Sequence, residues 1–221
     1  MTKPSSLSDT STRFSPKTPG QKRLVASIWN NPITVVAGPA GTGKTCLSIQ
    51  TLLEHLKTRK LEKIVCVRLA VDTNDEHLGA LPGEFRDKMA PFMGPIVDNL
   101  AQMCTGTELR YYIENKCIET LPVSYLRGRT FLNTGILVEE SQNMTEEMII
   151  TILTRMGSGS KVVINGDPQQ VDVEGRNGIL YAARLLEGIQ GVDVIHLTDE
   201  DIQRHPLLRE ILRRAEALKA A

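Results

Sequence analysis

Apolar residues in this chain fall into short β-branched runs separated by longer stretches with helical spacing. The runs are Ile33–Ala37, Ile64–Arg68, Gly135–Glu139, Val162–Asn165 and Val192–His196. Each is nearly continuous rather than alternating, the pattern of a strand buried on both faces. Helical periodicity is found over Gln21–Trp29, Thr45–Lys57, Gly83–Met103, Thr145–Met156, Gly178–Leu186 and Leu207–Leu218. In the second of these, Leu47, Leu52 and Leu56, with Ile49 and Leu53 beside them, mark one apolar face. Strands alternating with helices predict an α/β fold, a mostly parallel sheet with helices on both faces. Such sheets bind ligands at the carboxyl ends of their strands. The stretch Cys104–Arg129 has no clear period and is expected to be an inserted α or β element.

Chemistry enters directly after the first strand. Gly38, Pro39, Ala40, Gly41, Thr42, Gly43, Lys44 and Thr45 spell a phosphate-binding loop. Its glycines allow a sharp turn and close approach of backbone N–H groups to an anion. Lys44 has the reach to contact β- and γ-phosphates, and the Thr45 hydroxyl is a ligand for Mg²⁺. The following helix adds the partial positive charge of its N-terminus. Strand, glycine loop and helix is the context that this motif requires.

Two further strands end in polar groups. Ile136, Leu137 and Val138 run into Glu139 and Glu140, which resembles a Walker B element. Glu139 is expected to hold Mg²⁺ and Glu140 to orient the attacking water. Val162–Asn165 runs into Gly166, Asp167, Pro168, Gln169 and Gln170. Gln170 is expected over the same sheet edge, where it would sense the γ-phosphate or position water.

Composition narrows the setting. A chain of 221 residues accommodates one sizeable core. Residues 1–17 are rich in Ser, Thr and Pro and are expected to be a flexible tail, with the domain spanning 18–221. The net charge of zero gives no global field for nucleic acid. No apolar run approaches the roughly 20 residues that cross a bilayer, so no membrane partner is expected. Cys46, Cys66, Cys104 and Cys117 show no metal-type or CxxC spacing. They are expected to be reduced core or near-core residues, in keeping with a cytoplasmic location.

Taken in order, the blocks resemble the PhoH family of P-loop ATPases, within the superfamily-1-like group. They begin with Thr18-Pro-Gly-Gln21, Gly38–Thr45 and Arg68-Leu-Ala-Val71, then Leu78–Gly83 and Arg127-Gly-Arg-Thr130. Glu139–Asn143, Leu153-Thr-Arg-Met-Gly157, Gly166–Asp172 and Asp201-Ile-Gln-Arg-His205 complete the set. Departures are Leu69 where the family usually has Pro, and Glu139 where it usually has Asp. The resemblance implies a single RecA-like P-loop NTPase domain that binds ATP with Mg²⁺ and hydrolyses it, with a link to single-stranded RNA. It implies that Gln21 reads the adenine. The departures and the short chain suggest a minimal member, phage-encoded and acting in a host cytoplasm, without the RNA-binding or nuclease domain of some relatives.

Superfamily-1 helicases enclose one ATP between two RecA-like domains, and the second supplies arginines. With one such domain here, an arginine acts in cis, comes from a neighbour, or is absent. Arg155 and Arg204 are the candidates, since both lie in family-like blocks; Arg127 and Arg129 would grip a phosphate backbone or a neighbour. A homo-oligomer, a hexameric ring with ATP at each boundary, is therefore expected. Two other readings stay open: a non-catalytic nucleotide-binding assembly protein, and a small-molecule P-loop kinase.

Overall fold

The computed structural model describes residues 14–69, 94–172 and 175–203, with Leu207, Ile211 and Arg214. In chain order the elements are α1 (Pro19–Asn30), β1 (Ile33–Ala37), α2 (Lys44–Lys57), β2 (Lys63–Arg68), α3 (residues 94–101) and α4 (Gly106–Glu114). There follow β3 (Ile118–Pro122), β4 (Thr134–Val138), α5 (Glu146–Leu153), β5 (Lys161–Gly166), α6 (Gly178–Leu186) and β6 (Val192–His196). The strands form one sheet in the order β3-β2-β4-β5-β1-β6, and every pairing is parallel. The expected α/β architecture is therefore present. The chain leaves β1 towards β2 and later leaves β5 in the other direction towards β6, so the phosphate-binding loop sits where the winding reverses.

Strand parity sorts the core into two layers. Val36, Ile64, Cys66, Leu137 and Val163 face α1–α4, meeting Leu24, Ile28, Leu47, Leu52, Leu100 and Tyr112. Val35, Val65, Val67, Ile136, Val138 and Ile164 face the other way, onto Ile149 and Ile152 of α5 and Ile179 and Ala182 of α6. Helices thus cover both faces, as parallel strands require.

The five expected strands appear within one residue of their expected ends. β3 is additional and lies in the stretch that showed no period. Glu119 and Thr120 interrupt its apolar run and Pro122 ends it, a composition suited to an edge strand. Helix α5 stops at Leu153 rather than continuing to Met156. Residues Arg155–Gly157 leave the helix to pair with Phe131, whose N–H donates to the Arg155 carbonyl at 2.9 Å. Residues 14–17, expected within the tail, pack on the domain: the Phe14 N–H donates to Gln50 Oε1 at 2.7 Å and the ring joins the first core layer. Residues 1–13 and 70–93 lie outside the described residues, and with them most of the helix expected over Gly83–Met103. Leu207, Ile211 and Arg214 are helical, within the helix expected over Leu207–Leu218. All four cysteines are free, and burial pushes the Cys46 and Cys104 thiols up to about 11 and Cys66 upward as well.

At the edge of the sheet away from the phosphate-binding loop, His55 is 1% exposed. Its Nδ1 lies 2.8 Å from the Thr51 carbonyl and its ring lies 3.9 Å from that of Trp29. Its Nε2 is buried without a hydrogen-bond partner among the described residues. Burial holds its pKa below the usual value of 6.5, with Lys161 and Lys60 acting in the same direction. In the unfolded chain His55 binds a proton more readily than in the folded one. Its stabilising contribution is therefore complete above about pH 6.5 and is lost as pH falls through the lowered folded value. The urea midpoint of the wild-type protein is expected to fall between pH 7.5 and 5, and His55→Phe to flatten that slope.

Candidate functional site

The amino end of α2 differs from its counterparts. Thr18, Thr105, Thr145 and Asn177 cap α1, α4, α5 and α6 with a side-chain oxygen, whereas α2 has no side-chain cap. Gly43 occupies its N-cap at φ 82°, and Gly41 lies at φ 86°. Both are left-handed conformations that favour glycine. The first α2 bond runs from the Leu47 N–H to the Gly43 carbonyl at 2.9 Å. The N–H groups of Thr45 and Cys46 precede it in the first turn, ahead of the first intrahelical bond, and such N–H groups are the donors that an anion accepts from. Thr42, fully buried, braces the loop by donating its hydroxyl to the Pro39 carbonyl at 2.9 Å. Lys44 Nζ donates to the Gly38 and Pro39 carbonyls at 2.6 and 2.9 Å, folding its cation back over the loop.

A cavity of about 660 Å³ opens beside this loop. Gln21, Ala40, Gly41, Gly43, Lys44, Thr45, Glu139, Glu140 and Gln170 all line it, so residues from four separate sequence blocks converge. Phe14, Arg68, Ile96 and Gln102 contribute to the same wall. The Thr45 hydroxyl donates to Glu139 Oε2 at 2.6 Å, and Asn165 Nδ2 donates to Glu139 Oε1 at 2.7 Å. Burial raises the Glu139 pKa, and these two hydrogen bonds oppose the rise. Mg²⁺ prefers hard oxygens and needs only one or two from protein when phosphate and water complete its shell. A hydroxyl and a carboxylate converging to 2.6 Å fit that demand.

Glu140 has φ 54°, rare for a residue with a side chain, and such backbone strain is concentrated at functional sites. Its side chain is half exposed; Oε2 accepts from Gln142 Nε2 at 2.7 Å, and Oε1 lies 3.9 Å from Arg68. Gln142 is 1% exposed, and its Oε1 accepts the Asp167 N–H at 3.1 Å. This amide joins Glu140 to the loop that carries Gln170, whose own N–H donates to the Asp167 carbonyl at 3.1 Å.

Of the candidate arginines, Arg155 is not brought to this cavity. Arg155 lies where the chain re-enters the sheet, beside Phe131 and the start of β4, at the edge opposite the phosphate-binding loop. A five-residue strand separates the two edges by about 17 Å. Arg204 lies outside the described residues. Arg129 pairs with Glu119 at 3.1 Å and stacks over Phe131. Gln21 lines the cavity, yet its amide is committed. Nε2 donates to the Thr42 carbonyl at 3.0 Å and the Asp201 carbonyl at 3.2 Å, while Oε1 accepts from the Lys17 and Thr18 N–H groups at 2.8 and 3.4 Å. Reading a base would require it to give up one of these partners. Asn165, Gln142 and Asp201 were given no role from the sequence, although Gln142 and Asp201 lie within its family-like blocks. The signal for Asn165 was a lone amide at a buried position of an otherwise apolar strand.

An open helix start with its glycine loop, on a parallel sheet beside a partly buried hydroxyl–carboxylate pair, defines the class of P-loop α/β proteins. Within that class the chain belongs to the PhoH-like protein family, whose model matches residues 13–216. It is 37% identical over 198 residues to the PhoH-like protein of Bacillus subtilis, covering 89% of this chain and 62% of that protein. It is 40% identical over 199 residues to the PhoH-like protein of Mycobacterium tuberculosis (89% and 56%) and 30% identical over 196 residues to protein PhoH of Escherichia coli (87% and 55%). The chain thus spans little more than half the length of these relatives. Among solved structures, the Sulfolobus solfataricus SWI2/SNF2 ATPase core in complex with dsDNA aligns at 11% identity and a TM-score of 0.47, over 84% of this chain and 45% of that one. No described helix is long and apolar enough to cross a membrane.

The saturated amide of Gln21 makes it a structural clasp in its own right. Gln21→Ala would leave two buried carbonyls and two N–H groups without that partner, at a cost of about 1–3 kcal/mol. A matching fall in urea-derived stability is expected without any nucleotide present.

Proposed function

We propose that this chain binds ATP, hydrolyses it with Mg²⁺, and couples turnover to single-stranded RNA and to neighbouring copies of itself. The observation that carries the reading is the Thr45–Glu139 contact at 2.6 Å, set at the first turn of the uncapped α2.

In this mechanism the backbone N–H groups of Gly41, Thr42 and Gly43 and the ammonium of Lys44 hold the β- and γ-phosphates. Lys44 exchanges its two carbonyl partners for phosphate oxygens. Thr45 and Glu139 would hold Mg²⁺, which supplies charge neutralisation at the phosphate oxygens. Glu140 accepts a hydrogen bond from the attacking water and directs it in line with the leaving ADP. Gln170 hydrogen-bonds the γ-phosphate, and Gln142 relays its loop position to Glu140. Catalysis on this scheme is positioning and electrostatics.

Arg155 lies on the opposite edge of the sheet from the cavity. In a head-to-tail ring, most simply a hexamer, that edge of one copy would face the cavity of the next. The link to RNA rests on the family, and Arg127 and Arg129 are its candidate contacts. One observation favours a second reading, a nucleotide-binding assembly protein without turnover: both carboxylate oxygens of Glu139 already have partners.

Phosphate release from ATP, measured alone and with single-stranded RNA, duplex RNA or DNA, tests the proposal. Turnover raised by single-stranded RNA is expected; tight ATP binding without turnover favours the assembly protein, and phosphate transfer to a small acceptor favours a kinase. Lys44→Ala is expected to abolish hydrolysis with an unchanged circular dichroism spectrum. Glu140→Gln is expected to lower kcat about 10²–10⁴-fold while ATP still binds. In sedimentation at micromolar protein with ATP and Mg²⁺ a closed ring is expected; monomer alone would rule it out.

A further inference from the structure

Beneath the phosphate-binding loop four polar side chains, Thr45, Ser48, Glu139 and Asn165, meet between α2 and the sheet. Thr45 and Ser48 are three residues apart, on one side of the first turn of α2. Glu139 directly follows Val138, the last residue of β4, and Asn165 stands one residue beyond Ile164, the register partner of Val138. Parity turns both side chains to the α2 face, since Leu137 and Val163, two residues earlier, point there. β5 lies between β1 and β4, so Asn165 is the side chain that fills the gap between the loop-bearing strand and the acidic one.

Each contact in this group has a direction. Asn165 is 1% exposed and donates from Nδ2 to Glu139 Oε1 at 2.7 Å. The other carboxylate oxygen, Oε2, receives the Thr45 hydroxyl. Ser48 Oγ lies 3.4 Å from both Oδ1 and Nδ2 of Asn165 and steadies the amide from behind. A glutamate has three side-chain torsions, and a single hydrogen bond from Thr45 leaves its carboxylate free to swing. Two donors on opposite oxygens fix both its position and the plane of its lone pairs.

We infer that Asn165 is a positioning residue: it holds the Glu139 carboxylate so that Oε2 is presented at the Thr45 hydroxyl, and it acts on the divalent cation only through Glu139. The inference rests on the metal-binding part of the function proposed above. Removing the outer partner of a ligating carboxylate lowers metal affinity by roughly 10–100-fold. Asn165→Ala and the near-isosteric Asn165→Leu are both expected to raise the Mn²⁺ dissociation constant about tenfold or more. The measurement is the free-Mn²⁺ electron paramagnetic resonance signal in the presence of ADP. Binding of a fluorescent ADP analogue in EDTA is expected to be unchanged. In a Glu139→Ala background, Asn165→Ala is expected to cause no further loss of Mn²⁺ affinity. An unchanged Mn²⁺ affinity in whichever Asn165 variant keeps the wild-type fold by circular dichroism overturns the inference, even if that variant melts at a lower temperature. An additional loss in the Glu139→Ala background overturns it too, because Asn165 would then act independently of Glu139. Wild-type protein that binds Mn²⁺·ADP yet releases no phosphate from ATP would sink the hydrolysis reading and leave this inference standing.

Discussion

A carboxylate that is 5% exposed is the constraint around which the functional half of the molecule is arranged. Burying that charge without partners costs several kcal/mol or forces protonation. Glu139 has its partners only because three elements meet at one depth. Thr45 comes from the first turn of α2, Asn165 from the end of β5, and Glu139 itself from the end of β4. The strand order makes this meeting possible. With β5 between β1 and β4, the loop-bearing and acidic strands are not neighbours, and the intervening strand supplies the polar residue that meets the carboxylate. A divalent cation at this point would supply the positive charge that burial denies the carboxylate, and so reverse the upward pressure on its pKa.

Around this carboxylate the loop is tied to distant parts of the chain. Gln21 bridges the Thr42 and Asp201 carbonyls, and the Gln203 N–H donates to the Gly41 carbonyl at 3.0 Å. The Asp201 carboxylate takes the Thr18 hydroxyl and the Thr198 N–H. Segments from the start and the end of the described chain therefore close on the phosphate-binding loop itself. Movement of that loop pulls on both. Displacing the loop therefore breaks hydrogen bonds to both segments, of which the two made by Gln21 Nε2 are buried.

Much of the fold was legible because parallel strands buried on both faces leave nearly uninterrupted apolar runs, as in Ile33–Ala37 and Val162–Asn165. β3 was not, because an edge strand does not need such a run and Glu119 sits within it, paired with Lys63 and Arg129. The end of α5 was misjudged because pairing between Phe131 and Met156 is a tertiary contact that no local pattern encodes. At the site, Lys44, Thr45, Glu139, Glu140 and Gln170 were legible because their chemistry is tied to glycine loops and strand ends. Asn165 and Gln142 were missed because their importance lies in which oxygen they touch. That depends on strand order, which sequence periodicity does not contain.

Strand direction has one more consequence. All six strands run the same way, so the two edges of the sheet are chemically distinct: one collects loops with glycines, carboxylates and amides, the other collects returns such as Arg155–Gly157. Arg155 half-buries its guanidinium at the second edge, with Nε meeting no acceptor among the described residues and its terminal nitrogens making only long contacts, 3.4 Å to the Arg129 carbonyl and 3.3 Å to the Thr154 hydroxyl. About 17 Å of strand exceeds what an arginine spans, so no side-chain rotation brings this cation to the cavity of its own chain. A two-fold dimer that paired like edges would bring cavity to cavity and arginine to arginine. Only a contact between unlike edges brings Arg155 to the cavity of another copy: end to end, such contacts are heterologous and close into a ring or continue as a filament, whereas side by side and antiparallel they are reciprocal and close as a two-fold dimer. An Arg155 that serves the proposed reaction therefore serves it in another copy of the chain, and the parallel sheet is what forbids it from acting in its own.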